Sequence, residues 1–238
     1  METKVVVERV DVKNPIVFTS FPGIGLVGTI ASSHLITELN LEWIGVVESK
    51  DLPPVASLMD GVILPPVRIY QSRTLEFVLI HSDVPIFPHI AYEMSEKILD
   101  WVIEINARRI YSLAGVATFE DKKRVFGAAT SKELLDEIKD YVEIFKSGTI
   151  SGIAGSILNE CVVRKFPGLA LLGETLGFNP DPRASAELIK TLNKIFGWNV
   201  SVEKLIKEAE VIEAQMQKLA EQARMQEVGR REELPMYG

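Results

Sequence analysis

The apolar positions of this chain switch period repeatedly, from short unbroken runs to stripes spaced three and four residues apart. Lys4 to Val10 alternates and is rich in valine, which predicts a short strand. Ile16 to Thr19 carries no polar alternation, as in a strand covered on both faces. Ile30, Leu35, Ile36 and Leu39 form a helical stripe, and Trp43 to Val47 predicts a third buried strand. Val62 to Ile69 and Leu75 to His81 read as two strands joined by the polar turn Gln71-Ser72-Arg73. Pro65-Pro66 makes the first of these an edge or irregular strand. Met94, Ile98, Trp101, Val102 and Ile105 mark a helix over about 90–105. Arg109 to Ala114 predicts another strand, and Phe126 to Ala129 a strand or a turn.

Further along, capping chemistry sets the boundaries. Ser131 is the expected N-cap of a helix running to about Phe145, with Leu134, Leu135, Ile138, Tyr141 and Val142 inward. Ser156 to Lys165 predicts a helix and Leu169 to Leu172 a strand. Asp181 is the expected N-cap of the next helix, with Pro182 in its first turn and Gly197 at its end. Strands and helices alternate along most of the chain, which predicts an α/β fold with a mainly parallel sheet flanked by helices. That domain spans 1–198. A long C-terminal helix follows over 199–228. Val202, Leu205, Ala209, Ile212, Met216, Leu219 and Ala223 are spaced three and four apart, an a/d heptad stripe expected to form an oligomer seam or to pack along the domain. Residues 229–238 read as a flexible tail, a charged stretch closing on Leu234-Pro235-Met236-Tyr237-Gly238.

Between the second strand and the first helix lies Phe21-Pro22-Gly23-Ile24-Gly25-Leu26-Val27-Gly28. Gly23, Gly25 and Gly28 support a tight strand-to-helix turn, in which Gly28 lets the helix start lie close against a strand. The same spacing fits the dinucleotide fingerprint, whose helix N-terminus receives a pyrophosphate. Glu48 then stands where a ribose-binding acid would sit, or is simply a solvated acid at a strand end. A second glycine run, Gly148 to Gly155, contains Gly152 and Gly155 and leads into another helix. We expect both runs to be structural turns with no bound cofactor.

Charge and composition narrow the function classes. The formal net charge of −7 argues against a nucleic-acid backbone as the main partner. A single cysteine, Cys161, allows no intramolecular disulfide. No apolar leader segment and no membrane-length apolar run is visible, so a cytoplasmic protein is expected. The sequence holds no P-loop, no Gly-x-Ser-x-Gly elbow and no recognisable zinc motif. His81-Ser82-Asp83 and the nearby His89 sit at a strand end, where α/β enzymes hold catalytic groups.

Three motifs together, Phe21 to Gly28, Gly148 to Gly155 and Asn179-Pro180-Asp181-Pro182, resemble the proteasome assembly-chaperone-2 family and its archaeal members. The resemblance covers about 4–197. It implies a Rossmann-like α/β domain, a homo-oligomer of four or five subunits, and binding to the proteasome core particle rather than catalysis. It also implies a C-terminal hydrophobic-tyrosine-any motif that docks between α-ring subunits, matched here by Met236, Tyr237 and Gly238. Two functions follow: a proteasome-binding assembly chaperone or ATP-independent activator, and, alternatively, a nucleotide- or nucleoside-handling enzyme using the glycine turns.

Overall fold

The computed structural model describes residues 3–59, 61–120 and 122–211. In chain order the elements are β1 (Lys4–Val7), β2 (Ile16–Ser20), α1 (Val27–Glu38), β3 (Glu42–Glu48), β4 (Ser57–Met59), β5 (Val62–Leu64), β6 (Val67–Ser72), β7 (Phe77–Ser82), α2 (Pro88–Glu104), β8 (Arg109–Ala117), β9 (Val125–Ala129), α3 (Lys132–Ile138), β10 (Glu143–Ile144), α4 (Gly152–Val163), β11 (Gly168–Thr175) and α5 (Pro182–Phe196). Residues 203–211 are helical as well.

Nine strands make one sheet in the order β1-β3-β6-β7-β2-β8-β11-β9-β10, and β4 pairs with β5 in a separate hairpin. Its centre, β7-β2-β8-β11, is parallel. On the flanks β1-β3, β3-β6, β6-β7 and β11-β9 pair antiparallel, and the outermost pair β9-β10 is parallel again. The sheet is therefore mixed rather than mainly parallel. The reason lies partly in loop length, because β6 and β7 are joined by a short turn that only antiparallel neighbours accept.

The pleat separates two cores. Ile16, Phe18, Phe77 and Leu79 face α1, α3 and α5, whereas Val17, Val78 and Ile80 face α2 and α4. Phe18 lies at the centre of the first core, with the rings of Phe77, Tyr111, Phe196 and Trp198 between 5.4 and 5.7 Å away. Side chains of this kind contribute about 1.5–3 kcal/mol each when fully buried.

Two expected caps form as read. Ser131 Oγ accepts from the Leu134 amide at 3.3 Å, and Asp181 Oδ1 accepts from the Ala184 amide at 2.9 Å. Other boundaries differ: α4 starts at Gly152 rather than Ser156, so Gly152 and Gly155 lie inside the helix and not in a turn before it. The helix after Ser131 ends at Ile138, not near Phe145, and the chain turns so that Glu143–Ile144 pairs with β9. Ile138 and Val142 press together onto Gly127 in that strand, so the outer strand is covered as well as paired. The segment Val62 to Ile69 is not one edge strand. Pro65-Pro66 divides it into β5, which belongs to the hairpin, and β6, which lies inside the sheet between β3 and β7.

Candidate functional site

Both glycine runs lie at the end of the sheet where the parallel strands finish. Between them is a cavity of about 260 Å³, walled by Phe21, Ile24, Leu113, Ile150, Ile153 and Leu172. Thr19 contributes its hydroxyl, already paired with Ser112 Oγ at 3.2 Å.

The glycines of the first run do different jobs. Gly25 has φ +61°, a left-handed conformation that favours glycine, and a Cβ there would meet the Thr175 side chain at 2.9 Å. The close-approach position of the motif thus faces a side chain of this same fold. Gly28 has no room at all: a Cβ would stand 2.1 Å from the Leu113 carbonyl oxygen of β8. Gly23 is extended and meets nothing closer than 3.9 Å. In the second run Gly155 packs against the Ile150 carbonyl, while Gly152 holds φ +69° at the start of α4. Glu48 ends β3, which β6 and β7 separate from β2. It does not stand beside the first glycine turn, because β3 pairs outward rather than next to the strand that precedes it. The ribose-binding reading of Glu48 is therefore corrected.

The strand end His81-Ser82-Asp83 does gather a polar cluster, and a hydroxyl that sequence reading missed joins it. His81 Nδ1 is 2.7 Å from Ser32 Oγ on α1, and His81 Nε2 is 2.9 Å from Asp83 Oδ1. Arg68 clamps Asp83 through both terminal nitrogens, and Ser57 of the hairpin donates to the same carboxylate. Burial opposes the charge on Asp83, but hydrogen bonds from His81, Arg68 and Ser57 outweigh it and hold the carboxyl far below the usual range. The order Ser-His-Asp resembles a nucleophilic triad. Yet Ser32 is fully buried and His81 is 2% exposed, so the hydroxyl is sealed behind the strand ends. The cluster ties α1, β6, β7 and the β4–β5 hairpin together. His89 lies apart from it, stacked on Phe87.

A second buried ion pair braces the loops after β8 and β11. Glu174 has no solvent exposure, and it accepts from Arg124 Nε and Nη2, the Arg124 amide and Thr118 Oγ1. The Arg124 hydrogen bonds lower its carboxyl to about 2. Lys123 pairs with Asp181 at 2.6 Å, and the Asp181 amide donates to Gly25 O at 2.9 Å. These loops present Phe119 and Phe178 to solvent. The readable signal for Glu174 was an ionisable residue inside an otherwise apolar strand.

The heptad stripe begins within the chain's own core. Leu205 and Ala209 are each 2% exposed, and Val202 packs against the core beneath α5. Lys204 pairs with Glu38, and His34 Nε2 donates to Ser201 O at 2.6 Å, so this segment is pinned to α1. Ile212, Met216 and Leu219, together with Met236, Tyr237 and Gly238, lie outside the described residues. Among the described residues no helix is long and apolar enough to cross a membrane. Nor do three His, Cys, Asp or Glu side chains there gather in a way that could hold a metal.

A family model for PAC2 matches residues 17–220. The chain belongs to the PAC2 family. An uncharacterised protein of Methanocaldococcus jannaschii is 40% identical over 96% of this chain and 95% of its own length. Among solved PAC2-like structures, Pyrococcus furiosus PbaA, described as an archaeal homologue of proteasome-assembly chaperone, superposes with a TM-score of 0.85 at 37% identity, over 98% of this chain and 97% of that one. Pyrococcus furiosus PbaB, described as an archaeal proteasome activator, gives 0.81 at 29% identity, over 92% and 99%. The family expectation from the three motifs holds, and so does an α/β fold with a large central sheet flanked by helices.

Proposed function

We propose that this protein is a non-catalytic proteasome-binding protein, an assembly chaperone or an ATP-independent activator. It docks Met236-Tyr237-Gly238 into pockets between α-ring subunits of the core particle. The reading rests on one observation above all: likeness along nearly the whole chain to two proteins described in proteasome terms. The chemistry of the tail supports the mode of contact. The Gly238 carboxylate suits a lysine of the pocket, a charge-assisted contact. Tyr237 brings an apolar ring and a hydroxyl that finds a partner when buried. Met236 fills an irregular hollow, and Pro235 lowers the entropy lost on docking. A homo-oligomer of four or five subunits would offer several tails at once, raising avidity by about 10²–10⁴.

Tyr237→Ala and deletion of Gly238 test this in the full chain. Surface plasmon resonance against core particles should show each change weakening binding about tenfold or more. Cleavage of a fluorogenic peptide by the core particle should fall in parallel if the protein opens the gate. Full binding by both variants would remove the tail as the anchor. Binding that depends on the tail while cleavage stays constant would keep docking and leave assembly as the role.

A further inference from the structure

The cavity between the two glycine runs lies where the connections of the sheet change sides. β2 leads into α1 on one face, and β7 leads into α2 on the other. In open α/β sheets such a crevice, outside the carboxyl ends of the strands, is where ligands bind. Phe21 follows β2, Ile86 follows β7, and Leu113 and Leu172 close the wall from β8 and β11. Among the described residues the wall holds no charged side chain of either sign. Ile24 and Ser151 of the wall are exposed, so the cavity is open to solvent.

Two sets of hydrogen-bond donors in this wall lack acceptors. α4 begins at the cavity, where Gly152, Ile153 and Ala154 are wall residues. The amides of a first helical turn have no partner within their own helix. Here Ser151 stands at the N-cap without a side-chain hydrogen bond, and no other group among the described residues accepts from these amides. The second set is a hydroxyl. Thr19 and Ser112 are each 1% exposed, and each has only the other as a side-chain hydrogen-bond partner, at 3.2 Å. Two hydroxyls hold two O–H donors, and the mutual bond uses one. The other is left without an acceptor in a fully buried place, which is rare and costly. Thr19 is the member of the pair that lines the cavity.

We propose that this cavity binds a small apolar monocarboxylate, an arylacetate or a branched aliphatic acid. Its carboxylate accepts from the first amides of α4 and from the Thr19 hydroxyl. Its apolar body packs against Ile24, Ile86, Leu113, Ile150 and Leu172. Polarity selects the head group. The unmet groups are all donors, and the positive end of the α4 dipole favours an anion. The absence of a lysine or arginine from the wall limits the charge. A phosphate dianion, or the pyrophosphate of a dinucleotide, would meet no cation there, whereas amides and a hydroxyl suffice for a single carboxylate. Size selects the body. The cavity, about 260 Å³, exceeds the roughly 150 Å³ that takes a benzene ring. A ring or a branched chain therefore fits together with its carboxylate. The inference does not depend on proteasome binding.

Titration calorimetry of the full chain at neutral pH tests it with phenylacetate, isovalerate and phenylacetamide. Each acid should bind with a Kd below about 1 mM. Phenylacetamide, which keeps the ring but not the charge, should bind at least about tenfold more weakly, since hydrogen bonds to a charged group are the stronger ones. Thr19→Val should weaken phenylacetate binding about tenfold. Because that change also leaves Ser112 without its partner, Ser151→Asp is the second variant. An aspartate at the N-cap places a carboxylate of the chain's own on the α4 amides. It should raise the melting temperature and yet weaken phenylacetate binding about tenfold or more, a pair of opposite effects that unfolding cannot produce. Three results would each overturn the proposal: no binding of either acid, equal affinity for phenylacetate and its amide, or a Ser151→Asp variant that binds phenylacetate as the native protein does.

Discussion

Replacing Gly28 with alanine is expected to destabilise the fold by about 3–5 kcal/mol, at the upper end of single-substitution effects. The added methyl would stand 2.1 Å from the Leu113 carbonyl oxygen and 2.7 Å from its carbon. Both are main-chain atoms of β8 in the middle of the sheet, so no side chain can swing aside. The start of α1 would have to move away, opening the first core at Val27 and Ala31. Gly25→Ala should cost less, about 1–2 kcal/mol, from left-handed backbone strain and a shift of Thr175. Gly23→Ala should be nearly silent, because its backbone is extended and its surroundings open. Urea denaturation of the three variants checks the order. Were Gly23→Ala the most damaging, or Gly28→Ala within 1 kcal/mol of the native protein, the close-packing account of the motif would fail.

That ranking bears on what a sequence can convey. Glycine spacing announced a strand-to-helix turn, and local chemistry placed the caps at Ser131 and Asp181. Helical stripes placed α2 and α5, since the burial of a helix face repeats within the segment itself. Sheet order is another matter. That β3 pairs beyond β6 and β7, rather than beside β2, depends on contacts between distant segments, so nothing near Glu48 tells a ribose-binding acid from the solvated acid at a strand end that it is. Ser32 and His81 meet across 49 residues of chain, and no local pattern marks such a meeting. The stripe from Val202 carried a period but no address: the same spacing serves a subunit seam or the flank of α1. Phe119 and Phe178 sat in loops with charged and breaker residues, where a lone aromatic gives no period to read.

Glu174 is the second position where a single atom-sized change should have a large consequence. Its carboxylate is fully buried and accepts four hydrogen bonds, three of them from Arg124. Glu174→Gln keeps the shape but replaces one acceptor oxygen with a donor facing other donors. Donors left facing a donor at a fully buried site cost about 1–3 kcal/mol, while Arg124, which is partly exposed, keeps its pairs with Glu120 and Glu143. For a chain of this size, each kcal/mol lowers the melting temperature by about 2–4 °C. The pH dependence has a definite sign. A carboxyl held at about 2 in the fold, below its ordinary value, contributes stability above about 4.5 that is lost as pH falls toward 2. The native protein should therefore lose melting temperature steadily over that window, while Glu174→Gln changes less, and the gap between them should narrow. Hydrogen exchange should locate the loss in residues 118–124, the loop that presents Phe119. A gap between native and Gln variant as wide at pH 3 as at pH 7 would show that the carboxylate charge is not what holds this loop.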